Sequence, residues 1–104
     1  MISVETDARS TIRVLADPLR ARLVELLALE QLCTCHLVAE TGAQQTNVSN
    51  HLRVLREAGV VEAQPAGRYT YYRLRPEALT GLTEHFRDLA ERARAAEQIR
   101  RPCA

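Results

Sequence analysis

The hydrophobic period of this 104-residue chain changes twice, and this limits the folds that are open to it. As far as Gly59, apolar residues recur at spacings of three and four, which is typical of amphipathic helices. The next segment, VVEAQPAGRYTYYRLR, has β-branched and aromatic residues on both sides of QPAG, and predicts a hairpin of Val60–Ala63 and Tyr69–Leu74. Pro76 then opens another helical pattern. The order predicts a mainly α fold with a small β-hairpin.

Residues that begin and end helices mark the segments before the hairpin. Asp17 is a suitable N-cap and Pro18 a suitable first residue for the second helix. Gly42 and Gly59 suit the left-handed conformation that ends the third and fourth helices. The signals predict helices over residues 6–16, from Pro18 onward, over roughly 33–41, and from about Gln44 to Ala58. With a tight turn at Gly42 and Ala43, this is the order of a winged helix-turn-helix, whose fourth helix enters the DNA major groove.

The last helix carries an apolar seam. Its apolar residues follow a 3,4,3,4 spacing, which is a heptad pattern, at Leu79, Leu82, Phe86, Leu89 and Ala93. A chain of this size has too few residues to cover that seam and also complete a core, so we expect a homodimer. Residues 1–104 are predicted to form a single winged helix-turn-helix domain, in which the first and last helices make the dimer interface and the C-terminal tail is mobile.

The charge is distributed unevenly, although the net charge is only +1. Residues 43–76 carry five arginines against Glu57 and Glu62, and the chain has no lysine. Arginine is the side chain best suited to forked contacts with phosphate or guanine. This asymmetry favours double-stranded DNA as a partner.

The sequence gives no sign of a membrane or secretory protein. No apolar run is long enough to span a bilayer, and MISVETDARS has no basic segment followed by an apolar one. We therefore expect no membrane partner and a cytoplasmic location, where the three cysteines stay reduced.

The fourth helix has an apolar face and a face suited to reading bases. Val48, Leu52 and Leu55 share the apolar side, where His51 is expected to be a hydrogen-bonded structural residue. Amide and hydroxyl side chains, which can pair with base edges, dominate the other side. The predicted DNA-binding residues are Gln45, Thr46, Asn47, Ser49, Asn50 and Arg53 on the helix, with Arg68 at the hairpin tip. The alternative is an ordinary solvated face, but this one has no acidic residue before Glu57.

Three segments, LADPLRARLVELL, VSNHLRVLREAGVV and GRYTYYRL, resemble the ArsR/SmtB family of arsenic- and metal-responsive repressors. The segment QLCTCHLV is similar to ELCVCDLC, the arsenite-site motif of arsenic repressors in that family. The resemblance implies a homodimer that binds a palindromic operator and leaves it when a metal or metalloid binds. Only Cys33 and Cys35 match the motif, since its third cysteine falls at Val38. The family's histidine and acidic site on the last helix is matched only by His85.

Trivalent arsenic typically takes three thiolates, so the predicted ligands are Cys33, Cys35 and Cys103, with arsenite or antimonite as inducer. Residues i and i+2 diverge in a regular helix, so we expect Cys33 at or before the helix start, in an irregular or unwound first turn. The helix N-terminus should lower the pKa of the thiols. Ligation would then distort the third helix and, through the Gly42–Ala43 turn, weaken DNA binding.

Other chemistries for the same cysteines remain open. A cadmium, lead or zinc sensor would use the same sulfurs, with or without His36. A redox switch would oxidise the thiols. An enzyme is not predicted, because CTC is not the C-x-x-C of thiol reductases and the chain has no Gly-rich phosphate loop, paired carboxylates or Ser–His–acid set.

Overall fold

The computed structural model describes residues 8–103 and contains five helices and three short strands in that range. The elements are α1 (Ala8–Leu15), α2 (Pro18–Leu27), β1 (Leu32–Cys33), α3 (Thr34–Thr41), α4 (Gln45–Glu57), β2 (Val61–Ala66), β3 (Tyr69–Leu74) and α5 (Pro76–Ala95). The first helix was predicted over residues 6–16, of which residues 6 and 7 lie outside the described range. The architecture is the predicted winged helix-turn-helix.

The predicted start of α2 is confirmed. Asp17 is its N-cap, and one carboxylate oxygen accepts hydrogen bonds from the backbone N–H groups of Leu19, at 2.9 Å, and Arg20, at 3.1 Å. These bonds satisfy donors that the first turn of a helix leaves unpaired. The N–H of Arg20 is the main reason that the pKa of Asp17 lies below its usual value.

Both predicted glycine stops are also confirmed. Gly42 has a φ of 71° and its N–H donates to the carbonyl of Val38, which ends α3. Gly59 has a φ of 78°, and beyond α4 the N–H of Val60 donates to the carbonyl of Leu55 at 2.9 Å. This pairing closes the C-terminus of α4 as a Schellman motif, which only a left-handed residue allows without strain.

Apolar side chains from α2, β1, α3, α4, the start of β2 and the residue before it form the core. The buried members are Leu23, Leu26, Leu27, Leu32, Leu37, Val48, Leu52, Leu55, Val60 and Val61. The hairpin of β2 and β3 is the wing, and its residues Tyr72 and Leu74 pack against this cluster. By contrast, α5 has no buried residue. No helix in the described range combines the length and the apolar character needed to cross a bilayer.

The wing differs from the prediction in its first strand. The predicted strand was Val60–Ala63, but β2 runs from Val61 to Ala66 and pairs antiparallel with β3. Pro65 is therefore within the strand, opposite Thr70, and not in the turn. A proline cannot donate to the ladder, and β2 lies at an edge of the sheet, where this is tolerated.

The strand β1 was not predicted. Leu32 pairs with Tyr72 and Cys33 with Tyr71, so that β3 is the central strand of a three-stranded sheet. Two residues are too few to show a strand period, and their pairing with β3 is distant in sequence. The wing is therefore paired directly with Cys33, the residue that precedes α3.

Candidate metal centre and nucleic-acid interface

Cys33 and Cys35 converge because Cys33 lies outside the helix. Cys33 is the N-cap of α3, with extended backbone angles of −89° and 170°, and Cys35 lies in the first turn. The sulfur atoms of both cysteines and a ring nitrogen of His36 all lie within 4.8 Å of one another. The predicted position of Cys33 is therefore right. The expectation of an irregular or unwound first turn is wrong, since α3 is helical from Thr34 onward.

His36 belongs to this cluster, although the sequence favoured it only as an optional ligand. Its Nδ1 accepts the backbone N–H of Cys33 at 3.2 Å and lies 3.2 Å from the Cys33 sulfur. Because a backbone amide can only donate, Nδ1 presents a lone pair on this side of the ring. Residues at the N-cap and third helical positions meet in the manner of a capping box, and this spacing is the sequence signal that was missed.

The two thiols have opposite pKa shifts. Burial raises the pKa of the Cys33 thiol, but the Cys35 thiol and the backbone N–H groups of His36 and Cys35 favour the thiolate, and the pKa is lowered overall. The pKa of Cys35 is raised, chiefly because its thiol donates to the Cys33 sulfur and then by burial and the negative charge of Cys33. The prediction that the helix terminus lowers the thiol pKa is thus right for Cys33 and wrong for Cys35.

The structure does not bring Cys103 into the cluster. Cys103 is exposed in the segment after α5, whereas Cys33 is buried and Cys35 is exposed at the start of α3. Among residues 8–103, the group of metal-binding side chains consists of Cys33, Cys35 and His36. His85 is on α5, where the centroids of its ring and the Phe86 ring are 5.4 Å apart and the planes are tilted by 64°.

A cleft of about 470 Å³ opens beside His36. His36 and Tyr71 line it, and their ring centroids are 6.1 Å apart with the planes tilted by 54°. Glu30 and Glu40 also line this cleft. Both glutamates are exposed, and two carboxylates lining one cleft favour cations over anions there.

The predicted reading face of α4 is exposed, and its apolar face is buried as expected. Each predicted DNA-binding residue is exposed, namely Gln45, Thr46, Asn47, Ser49, Asn50, Arg53 and Arg68. His51 is half-buried and its Nδ1 accepts a hydrogen bond from Arg20 at 3.0 Å, which confirms its structural role. Arg20 also donates to the carbonyl of Val14 at 2.6 Å, so the start of α2 is tied both to the chain before it and to α4.

The five arginines of residues 43–76 fall into two groups. Arg73 donates twice to Glu62, at 2.8 and 3.1 Å, and Arg75 lies 3.9 Å from the same carboxylate. Within the described chain, the remaining three form no ion pair; they are Arg53, Arg56 and Arg68. The positive charge available to phosphate is therefore smaller than the sequence suggested, and it is concentrated on α4 and at the wing tip.

An exposed apolar strip lies on α1 and α5 and is formed by Ile12, Phe86 and Leu89. The α1 and α5 helices contact each other. Between 37% and 49% of each strip residue is accessible to solvent. Large exposed apolar side chains on two helices in contact are typical of an interaction site.

The sequence and fold match known regulators. Residues 17–63 match the family described as bacterial regulatory proteins of the arsR family. The chain is 44% identical over 66 residues to an arsenic resistance transcriptional regulator, ArsR1, of Pseudomonas putida, covering 62% of this chain and 52% of that protein. It is 38% identical over 77 residues to a transcriptional repressor SmtB homolog of Synechocystis, covering 74% of this chain and 56% of that protein.

A solved structure described as a "possible transcriptional regulator for arsenical resistance" superimposes with a TM-score of 0.72. It is 36% identical, and the alignment covers 88% of this chain and 98% of that one. The chain spans about half the length of the two curated relatives above. The matching sequence and the matching fold together show that this chain belongs to the ArsR family of bacterial regulatory proteins.

Proposed function

We propose that this protein is a homodimeric transcriptional repressor that leaves its operator DNA when a thiophilic ion binds Cys33 and Cys35. The observation that carries the proposal is the position of these two thiols. They meet at the junction of β1 and α3, between the wing and the helix-turn-helix. An ion bound at this junction would lie between the two parts of the fold that we propose to face DNA.

The proposed DNA contacts follow from the exposed groups of α4 and the wing. Gln45 and Asn50 have amides that can pair with adenine edges, and Thr46 offers a hydroxyl for base edges and a methyl group for thymine. Asn47 and Ser49 flank them. Arg53 and Arg68 are not engaged in the described ion pairs, so their charges are available to phosphate or the minor groove.

The exposed apolar strip supports the homodimer. Phe86 and Leu89 on α5 and Ile12 on α1 are the side chains that a second copy would cover. In such a dimer the two α4 helices read half-sites about 34 Å apart, one turn of DNA, which requires a palindromic operator. The first and last helices are therefore proposed as the dimer interface.

Arsenite or antimonite is the proposed inducer. Trivalent arsenic bonds three thiolates, of which Cys33 and Cys35 supply two. Cys103 is the remaining cysteine of this chain, and we propose that it supplies the third from the same or the partner subunit. The printed names of the P. putida regulator and of the solved structure support this choice.

A soft divalent cation such as cadmium, lead or zinc is the second candidate. The acidic cleft beside His36 favours a cation over arsenous acid, which is neutral. The imidazole in the cluster is also a ligand that zinc accepts readily. A redox switch, in which the thiols oxidise without an ion, is a third outcome that the test below separates.

The test begins with an operator selected from random duplex DNA by the reduced, metal-free protein. Release of that duplex is then measured with arsenite, antimonite, cadmium, zinc and peroxide. We expect release by arsenite or cadmium, and none in the Cys33→Ser/Cys35→Ser variant, which still binds DNA because serine is a good N-cap. Release of this variant equal to wild type would contradict the proposal, and release by peroxide alone would show a redox switch.

A further inference from the structure

Three residues link the start of α3 to the wing, namely Cys33, His36 and Tyr71. Cys33 is the cap of α3 and pairs with Tyr71 across β1 and β3. His36 accepts the Cys33 N–H through Nδ1, and the centroid of its ring lies 6.1 Å from that of the tilted Tyr71 ring. The same Nδ1 atom of His36 lies 3.2 Å from the Cys33 sulfur.

We propose that His36 is the third ligand of a divalent-cation site made with Cys33 and Cys35 within one subunit, and that its ligation loosens the wing. The cation class is zinc or cadmium. The link to DNA release rests on the function proposed above, whereas the ligand set and the change in the wing do not.

The donors fit such a cation. Two thiolates and one imidazole form a three-ligand set that zinc accepts, and two thiolates neutralise its charge. In a tetrahedron with bonds of about 2.3 Å, neighbouring donors are about 3.8 Å apart. The donors of the cluster lie within 4.8 Å of one another, so shifts of about 1 Å suffice. Cys35 is exposed and has room to move.

The proton balance is simple. Nδ1 already presents its lone pair, so His36 neither gains nor loses a proton when it binds the ion. Cys33 and Cys35 donate as thiolates, and any protons they carry pass to solvent as the metal–sulfur bonds form. No atom changes oxidation state, and no further reactant is required.

The effect on the wing follows from that single lone pair. Nδ1 cannot accept the Cys33 N–H and bind an ion at the same time, so ligation removes the hydrogen bond that ties His36 to the β1 residue. The imidazole must also reorient against Tyr71 of β3. Because β1 contributes only two residue pairs to the sheet, the loss of this hydrogen bond should weaken a short connection between the wing and the start of α3.

The matched variant is His36→Gln. Glutamine at the third helical position can still accept the N–H of the N-cap residue, as in a capping box, but lacks the imidazole. Cys103→Ser is the control that removes a thiol outside the cluster. Cadmium and zinc affinities are measured on the protein alone by competition with a chelator, and exchange of the β3 backbone amides is measured with and without cadmium.

We expect His36→Gln to lower the cadmium and zinc affinities by about tenfold or more. We expect Cys103→Ser to leave both affinities within about twofold of wild type. Cadmium should accelerate exchange of the amides around Tyr71 in wild type and not in His36→Gln. Equal affinities in wild type and His36→Gln would overturn the ligand assignment, and unchanged exchange in wild type would overturn the effect on the wing. Neither measurement uses DNA, so loss of the repressor function alone would leave both results intact.

Discussion

The two regions that carry the cysteines are built in opposite ways. At the β1–α3 junction, buried residues on both sides of the cluster, Leu32 and Leu37, anchor the backbone, and a strand pair joins it to the wing. After α5, Cys103 is exposed in a segment that follows a helix with no buried residue. The junction therefore presents two sulfurs and a nitrogen together in one chain, whereas a third sulfur has to come from elsewhere. A cation site can therefore be built from the junction alone, whereas an arsenite site with three thiolates needs a sulfur from outside it.

The difference in packing gives the largest expected effect. Leu37 is fully buried on α3, and Leu37→Ala should lower the free energy of unfolding by about 2–5 kcal/mol. Ile99 in the segment after α5 is 76% exposed, and Ile99→Ala should change the free energy of unfolding by less than about 0.5 kcal/mol. Urea unfolding of the metal-free protein measures both. Similar losses for the two variants would show that the segment after α5 is packed as firmly as the junction.

The apolar strip gives the next largest effect. Phe86 is 49% exposed, so its burial by a partner would contribute about 1 kcal/mol in each of two copies. Phe86→Ala should therefore weaken dimerisation by about 2 kcal/mol, which sedimentation at several concentrations measures. Cadmium affinity, which depends on the junction, should stay the same. A variant that dimerises like wild type would show that this face of α5 is not the interface.

A crossed pair of variants sharpens the comparison of ligands. Cys103→Ser should weaken arsenite binding by about tenfold or more and leave cadmium binding unchanged, because only arsenite needs a third thiolate. His36→Gln should have the reverse effect. Titrations of both variants with arsenite and with cadmium measure the four affinities. If Cys103→Ser weakened both inducers equally, the two regions would form one shared site.

The smallest effect is in the titration of the thiols. In a Cys103→Ser background, Cys35→Ala removes a donor that lowers the pKa of Cys33, so the remaining thiolate should form at higher pH. Cys33→Ala removes the acceptor that is the main cause of the raised pKa of Cys35, so that thiolate should form at lower pH. Thiolate absorbance against pH measures both. Shifts in the same direction would contradict the arrangement of the pair.

Local signals made most of the fold predictable. The caps at Asp17, Gly42 and Gly59 act within a few residues of the helix ends that they fix, and each prediction is confirmed. The hairpin was also recognisable from its period. Pro65 misled the boundary of β2 because a proline is read as a turn residue unless the sheet edge is known.

The arrangement of the cluster was less predictable. Sequence identified Cys33 and its place before the helix, but the close approach of the sulfurs depends on its extended backbone angles. The role of His36 depends on a hydrogen bond across the cap, and the link to Tyr71 depends on a two-residue strand that pairs some forty residues away. Side-chain spacing on an ideal helix contains none of this information.

The most direct test of the account is the affinity of the reduced protein for its selected operator, measured without metal and with one equivalent of cadmium per subunit. Because a typical coupling energy is about 1–3 kcal/mol, the account predicts that cadmium weakens operator binding by about 5–150-fold. The affinity of Cys33→Ser/Cys35→Ser should be the same in both conditions. Equal operator affinity of the empty and the cadmium-loaded wild-type protein would contradict the central claim for this cation, and the same result with arsenite would contradict it altogether.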